Sequence, residues 1–166
     1  MKLFKWWRKD RQISESDAQR LAGLIPAEPL SERPLSEQRF VVVDLETSGL
    51  NTLKDKILSM GAVTIEHSAI ALGDQFSCTL RRKNHAVSES VLIHQIPPSE
   101  VAAGIRPGKA LLSFMDYVGG SPLLAFHAVF DQRMLVREMK DAFAYDLRHS
   151  FYDVAEIAQL LCPEHT

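Results

Sequence analysis

The run Phe40-Val41-Val42-Val43 constrains the fold most strongly, because the next residue is Asp44. Three valines after a phenylalanine favour extended backbone, and a short apolar run of this kind reads as a buried strand. An ionised carboxylate inside such a strand is costly unless it is paired or bound to a cation. Glu46 follows two positions later. Side chains at i and i+2 of a strand share a face, so Asp44 and Glu46 become adjacent carboxylates on one surface. Like charges held close favour a divalent cation between them, and hard oxygen donors select Mg²⁺ or Mn²⁺ over Zn²⁺. The plain alternative is a strand end turning into solvent, with Asp44 and Glu46 as ordinary loop residues.

The rest of the chain supplies a core for that strand. Its 166 residues, 46% hydrophobic and 24% charged, match a soluble globular chain of about one domain. No run of about 18 apolar residues occurs, so no membrane span is expected. The net charge of −2 excludes wrapping of nucleic acid by bulk positive charge and leaves local sites to do any such binding. Cys78 and Cys162 have no CxxC partner and read as free thiols of a reducing compartment. Met1 to Arg11 is basic and aromatic but lacks a secretory h-region and cleavage site, so a cytoplasmic location is expected.

Composition divides the chain at about residue 38. Residues 1–38 hold a basic segment with Leu3, Phe4, Trp6 and Trp7, then a short helix from Ser14 to Leu24, then a linker broken by Pro26, Pro29 and Pro34. This part is expected to stand outside the main fold. Residues 1–12 have the composition of a segment that docks on a polymerase, a sliding clamp, a membrane surface or nucleic acid, or of a frayed tail. Residues 39–166 read as α/β. Strands are expected at Phe40–Leu45, Ile57–Glu66, Ile70–Leu80 and Pro122–Phe126, with a hairpin over His67–Ala69 and a bulge or turn at Gly73-Asp74. Helices are expected at Lys109–Val118, stopped by Gly119-Gly120, at Phe130–Asp141 and at Asp153–Leu161. Pro97-Pro98 and Pro107-Gly108 punctuate a loop-rich stretch. Arg81-Arg82-Lys83 is either a solvated turn or a contact to a nucleic-acid backbone.

A second acidic feature closes the next buried strand, in Leu123-Leu124-Ala125-Phe126-His127-Ala128-Val129-Phe130-Asp131. Asp131 opens a helix there, where it either caps that helix or joins Asp44 and Glu46 in one acidic pocket. The two segments together are similar to a family. Asp44-Leu45-Glu46-Thr47-Ser48-Gly49 resembles the first motif of the DEDD-type (DEDDh) 3′–5′ exonucleases, in the branch of the polymerase III proofreading epsilon subunit. Phe126-His127-Ala128-Val129-Phe130-Asp131 resembles that family's second motif, usually His-Asn-Ala-x-Phe-Asp, and Ile93-His94-Gln95-Ile96 matches its connecting region.

The resemblance implies a ribonuclease H-like mixed β-sheet flanked by helices, two Mg²⁺ or Mn²⁺ ions, and hydrolysis at the 3′ end of a nucleic acid, of the single-stranded DNA proofreading or repair type. It implies Asp44, Glu46 and Asp131 as catalytic metal ligands. It also implies that Thr47, Ser48, Gly49, Leu50 and His127 lie against the terminal nucleotide, with Leu50 wedging against its base. Two departures stand out. The family's His-Asn pair is Phe126-His127, and the third motif, a histidine base with an aspartate five residues later, is not identifiable before Thr166. His149 and Asp153 are four apart; Asp153 reads as a helix N-cap, in a capping box with Glu156, and His149 as a loop or strand residue. The 166-residue chain is therefore expected to carry an incomplete site and to be impaired. The alternative is a non-catalytic module on the same fold that binds nucleic acid or a polymerase partner.

Overall fold

The computed structural model describes residues 13–82 and 96–162. Residues 1–12, and Ile93-His94-Gln95 of the connecting region, lie outside the described residues. Five strands, β1 (Phe40–Thr47), β2 (Ile57–Glu66), β3 (Ala69–Thr79), β4 (Leu123–Ala125) and β5 (Phe151–Asp153), form one mixed sheet in the order β3-β2-β1-β4-β5. β3, β2 and β1 pair antiparallel, whereas β1, β4 and β5 run parallel. Helices α1 (Glu15–Ala22), α2 (Pro98–Ala103), α3 (Pro107–Val118), α4 (Ala128–Phe143) and α5 (Val154–Leu161), with a short 3-10 turn at Leu35–Glu37, complete the described elements. This is the mixed sheet flanked by helices that the motifs implied.

The alternation of β1 sets the two faces of the sheet. Val41, Val43, Leu45 and Thr47 are buried, while Val42 and Glu46 are half-buried and Asp44 is exposed. The buried set meets Met60, Ala62 and Cys78 of the neighbouring strands, Leu111, Phe114 and Met115 of α3, and Met134, Leu135 and Met139 of α4. The carboxylates are therefore on the face away from this core, as a period of two requires.

Local chemistry explains the connections. The β2–β3 hairpin turns on His67 and Ser68, with φ of 53° and 59°. Two consecutive left-handed residues match the right-handed twist of the flanking strands. Val63 pairs with Gln75 and Ile65 with Ile70, so the surplus residues of β3 bulge out around Gly73-Asp74. Gly119, at φ 59°, ends α3 with its N–H on the Met115 carbonyl at 3.0 Å. The stretch expected to be loop contains α2, because Pro98 and Pro107 sit in the first turns of α2 and α3, where a missing N–H costs nothing. Neither reading of Arg82 holds. Its guanidinium turns inward to Glu138 at 2.9 Å.

The N-terminal region is tied to the domain. Ser14 caps α1 through the Asp17 N–H at 3.1 Å. Leu21 and Leu24 pack against the core with Ile13, and Arg20 bonds to Asp116 and Ser113 of α3. The linker is pinned by the Glu28 N–H on the Gly120 carbonyl at 2.9 Å and by buried Gln38, whose amide bonds to Ser31 and Arg33. Deleting residues 1–36 is expected to leave a domain that still unfolds cooperatively but is about 2–4 kcal/mol less stable, from the loss of Ile13, Leu21 and Leu24. Urea unfolding followed by circular dichroism checks this; loss of cooperativity would make the region integral to the fold.

Candidate active site

The site forms where β1 and β4 end. Asp44 stands opposite Gly61, and Glu46 opposite Ser59, in the β1–β2 ladder. Glycine puts no side chain beside the Asp44 carboxylate, and serine puts a small one beside Glu46. The register then slips, because Thr47 pairs with Ile57 and leaves Leu58 as the extra residue. Such a bulge bends the strand end, a device common beside functional sites. Asp44 and Glu46 thus share a face as expected.

Asp131 comes from the first turn of α4, not from its cap. It is only 6% exposed. Burial, and then repulsion from Asp44, push its pKa from 3.8 to about 7, while hydrogen bonds with its own backbone and that of Leu45 pull the other way. Asp131 thus stands within reach of the Asp44 charge and of the Leu45 backbone, and it does not cap α4, whose N-cap is His127.

The cap that Asp131 does not provide comes from Asp153. Its carboxylate accepts the N–H groups of His127 (3.3 Å) and Ala128 (3.0 Å), at the start of α4. It also accepts Ala155 N–H (2.9 Å) and so caps its own helix, α5. Against a desolvation push upward, these three donors and His127 hold its pKa below the usual carboxylate range. Sequence reading found only the second of these duties, because the first joins segments far apart in the chain.

The remaining candidates divide by what their side chains do. Thr47 is buried, and its hydroxyl donates to the Gly49 carbonyl at 2.8 Å. The Ser48 hydroxyl donates to Asp55 at 3.0 Å and accepts from the Lys56 N–H at 3.0 Å. Both hydroxyls therefore shape the loop. A Cβ at Gly49 would lie 2.6 Å from the Asp55 carboxylate, which would have to shift to admit it. Leu50, by contrast, is 87% exposed. With Thr52, His127, Phe130, Arg133 and Asp153 it lines a groove of about 400 Å³. His127 is an exposed left-handed residue at φ 57°, its ring 4.4 Å from that of Phe126. His149 is elsewhere. It precedes β5, at the end of the parallel strands away from the carboxylates, and its buried ring donates through Nε2 to the Gly119 carbonyl at 2.7 Å. Burial holds its pKa below the ordinary value, with the Gly119 bond opposing.

Among the described residues no three His, Cys, Asp or Glu side chains converge into a ready-made metal cluster. Asp44, Glu46 and Asp131 are therefore not a preformed coordination shell. The donor set is carboxylate oxygen, which suits a hard divalent cation. A cation would also reverse the repulsion that raises Asp131. The residues fit such an ion in chemistry.

Asp131 gives this site a pH signature. Between pH 3.8 and about 7 the folded state keeps a proton that the unfolded chain has released. Stability from this group is therefore full below about pH 4 and is lost as pH rises through about 7. Asp131→Asn is expected to flatten that decline. Millimolar Mn²⁺ is expected to stabilise the wild type more at pH 7 than at pH 5, because it displaces the proton. Urea unfolding across pH 4–8, with and without Mn²⁺, checks both; an unchanged slope in Asp131→Asn would refute the assignment.

Comparison with known proteins places this geometry. The profile of the RNase_T family, described as exonuclease, matches residues 41–166. A DNA polymerase III PolC-type protein of Clostridium perfringens is 28% identical over 128 residues, which are 77% of this chain and 9% of that protein. The DNA polymerase III subunit epsilon of Treponema pallidum is 30% identical over 125 residues, 75% of this chain and 57% of that subunit. The chain thus spans only part of the length of these relatives. In fold, an exonuclease I crystallised with an inhibitor superposes with a TM-score of 0.66 at 19% identity, over 78% of this chain and 32% of that one. The metal-free E. coli exonuclease I complex with single-stranded DNA gives 0.66 at 19% identity, over 78% and 31%. Enzymes of this family generally use divalent metal ions. With the family profile covering most of the chain, including both carboxylate segments and the groove between them, the protein belongs to the RNase_T exonuclease family.

Proposed function

We propose that the chain is a 3′–5′ exonuclease domain that hydrolyses the terminal phosphodiester of a nucleic acid, with single-stranded DNA as substrate and a proofreading or repair role. The carrying observation is Asp131, a buried carboxyl raised to about 7 by burial and by Asp44 beside it. A buried acid held in that conflict is one that a bound cation would relieve.

Asp44, Glu46 and Asp131 would hold Mg²⁺ or Mn²⁺, as two ions. When bound, such ions supply an activated water and charge stabilisation at the leaving oxygen. The chain's own residues do the rest. Leu50 and Phe130 offer apolar surface to the terminal base, and His127 and Arg133 offer polar groups to the sugar-phosphate. Asp153 fixes the start of α4, and with it the position of Asp131. His149 is turned away to Gly119, so no histidine base for the site is assigned among the described residues. Loss of a general base costs about 10²–10⁴ in rate, and slow turnover of this 166-residue chain is part of the proposal. Residues 1–12 are proposed, on their tryptophans and basic charge and on the names of the relatives, as a contact to a polymerase or clamp.

The test is hydrolysis of 3′-labelled single-stranded DNA and RNA oligonucleotides with millimolar Mn²⁺. Release of labelled mononucleotide from the 3′ end is expected, lowered at least about a hundredfold in Asp44→Asn and in Asp131→Asn. His149→Ala is expected to stay close to wild type. Binding of the oligonucleotide with no hydrolysis would favour the non-catalytic binding module. Turnover that survives Asp44→Asn would sink the metal assignment.

A further inference from the structure

Leu50 sits near the tip of a loop, residues 48–56, closed at its base by the Ser48 N–H on the Lys56 carbonyl at 2.9 Å. Inside it the Asp55 carboxylate accepts from the Ser48 hydroxyl at 3.0 Å and from the Asn51 N–H at 2.8 Å. These bonds shape the loop but do not fix it to the body of the protein. Arg137 does. This half-buried side chain of α4 donates from one terminal nitrogen to the Thr52 carbonyl and from the other to the Asp55 carbonyl. Its charge is met by the buried carboxylate of Glu138 at 3.7 Å, which also holds Arg82 at 2.9 Å. Arg82 in turn donates through Nε to the carbonyl of Ile57, where the loop enters β2, at 2.9 Å. One buried carboxylate thus steadies two guanidinium groups that grip the loop by three main-chain oxygens.

We propose that Arg137 is a positioning residue for substrate, a clamp that holds the Leu50 loop at a set distance from Asp131 on the same helix. The inference rests on the function proposed above and deepens it. Leu50 and Thr52 form one wall of the groove, and His127 and Phe130, at the head of α4, form the other. The groove width is therefore the spacing between the loop and α4, and Arg137 ties the loop to that helix. A planar fork with two parallel donors suits two carbonyls, which a lysine ammonium does not match. Nothing in this role requires Arg137 to touch the nucleic acid.

The experiment uses the 166-residue chain, with Arg137→Met, which keeps length and removes the donors, and Arg137→Lys. Two readouts are taken. One is amide hydrogen exchange at Asn51, Lys54, Asp55 and Lys56. The other is the affinity for a 5′-fluorescein oligothymidylate in Mn²⁺, with a free and with a 3′-phosphorylated end. Arg137→Met is expected to speed loop exchange and weaken binding of the free 3′ end, each about tenfold for the loss of two hydrogen bonds. Exchange in α3 and the Mn²⁺ affinity are expected to stay within about twofold, as sites that share no partner with the clamp. Arg137→Lys is expected to fall between, and it carries the same readouts if Arg137→Met does not fold. Wild-type loop exchange in the variant, or faster exchange with wild-type oligonucleotide affinity, would overturn the clamp alone. A wild type that does not prefer the free 3′ end would instead overturn the proposed function and the clamp's role in substrate binding with it.

Discussion

Val41, Val43, Leu45 and Thr47 point into the core between the sheet and helices α3 and α4, and β1 cannot shift its register without losing them. A one-residue slip would send Asp44 and Glu46 inward and the apolar set outward. The same burial that stabilises the domain therefore holds two carboxylates on the opposite face. Their proximity is not a separate design that the chain maintains against its folding preference. It follows from a period of two and from an apolar set too large to be exposed.

The third carboxylate is held by a longer chain of contacts. Asp131 reaches the end of β1 only if α4 begins at the right place and angle. That beginning is a left-handed residue, His127, with its N–H and that of Ala128 bound by Asp153 from β5. The conformation also bears on the departure of the second motif from its family pattern. Asn, Asp and His are the non-glycine residues most often found in the left-handed region. His127 replaces the family's asparagine at a position with φ of 57°, so the backbone need is met and the change falls on the groove surface.

Much of this was legible in the sequence, for identifiable reasons. β1, the hairpin, α3 and the carboxylate pair are encoded locally, by valine runs, turn residues and spacing, so reading along the chain recovers them. Asp131 was legible as a candidate but ambiguous, since a capping aspartate and a pocket aspartate look alike until the fold shows whether another residue caps the helix. Asp153 was read as a cap for its own helix, whereas its bonds to His127 and Ala128 cross from one strand to the next. Arg82 looked like part of a surface charge run, and nothing in the sequence singles out Arg137 on its helix. Their partners are main-chain carbonyls and a buried glutamate distant in sequence, and carbonyls leave no trace in a sequence at all.

The electrostatics of the site and its mechanics are carried by different groups, and the separation has a physical basis. Asp44 raises the energy of the charged Asp131, so the two cannot hold their own surroundings together. The surroundings are built from pairs that attract: Asp153 with the amides at the start of α4, and Glu138 with two arginines that bind the Leu50 loop. Both end on main chain, Asp153 directly and Glu138 through its arginines, which locks backbone position instead of a rotamer. A site whose ligands are under mutual strain needs such a frame, because without it Asp44 and Asp131 would relieve their repulsion by moving apart. The frame keeps them near each other, so the repulsion is relieved by a proton on Asp131 or, in the function proposed above, by a bound cation.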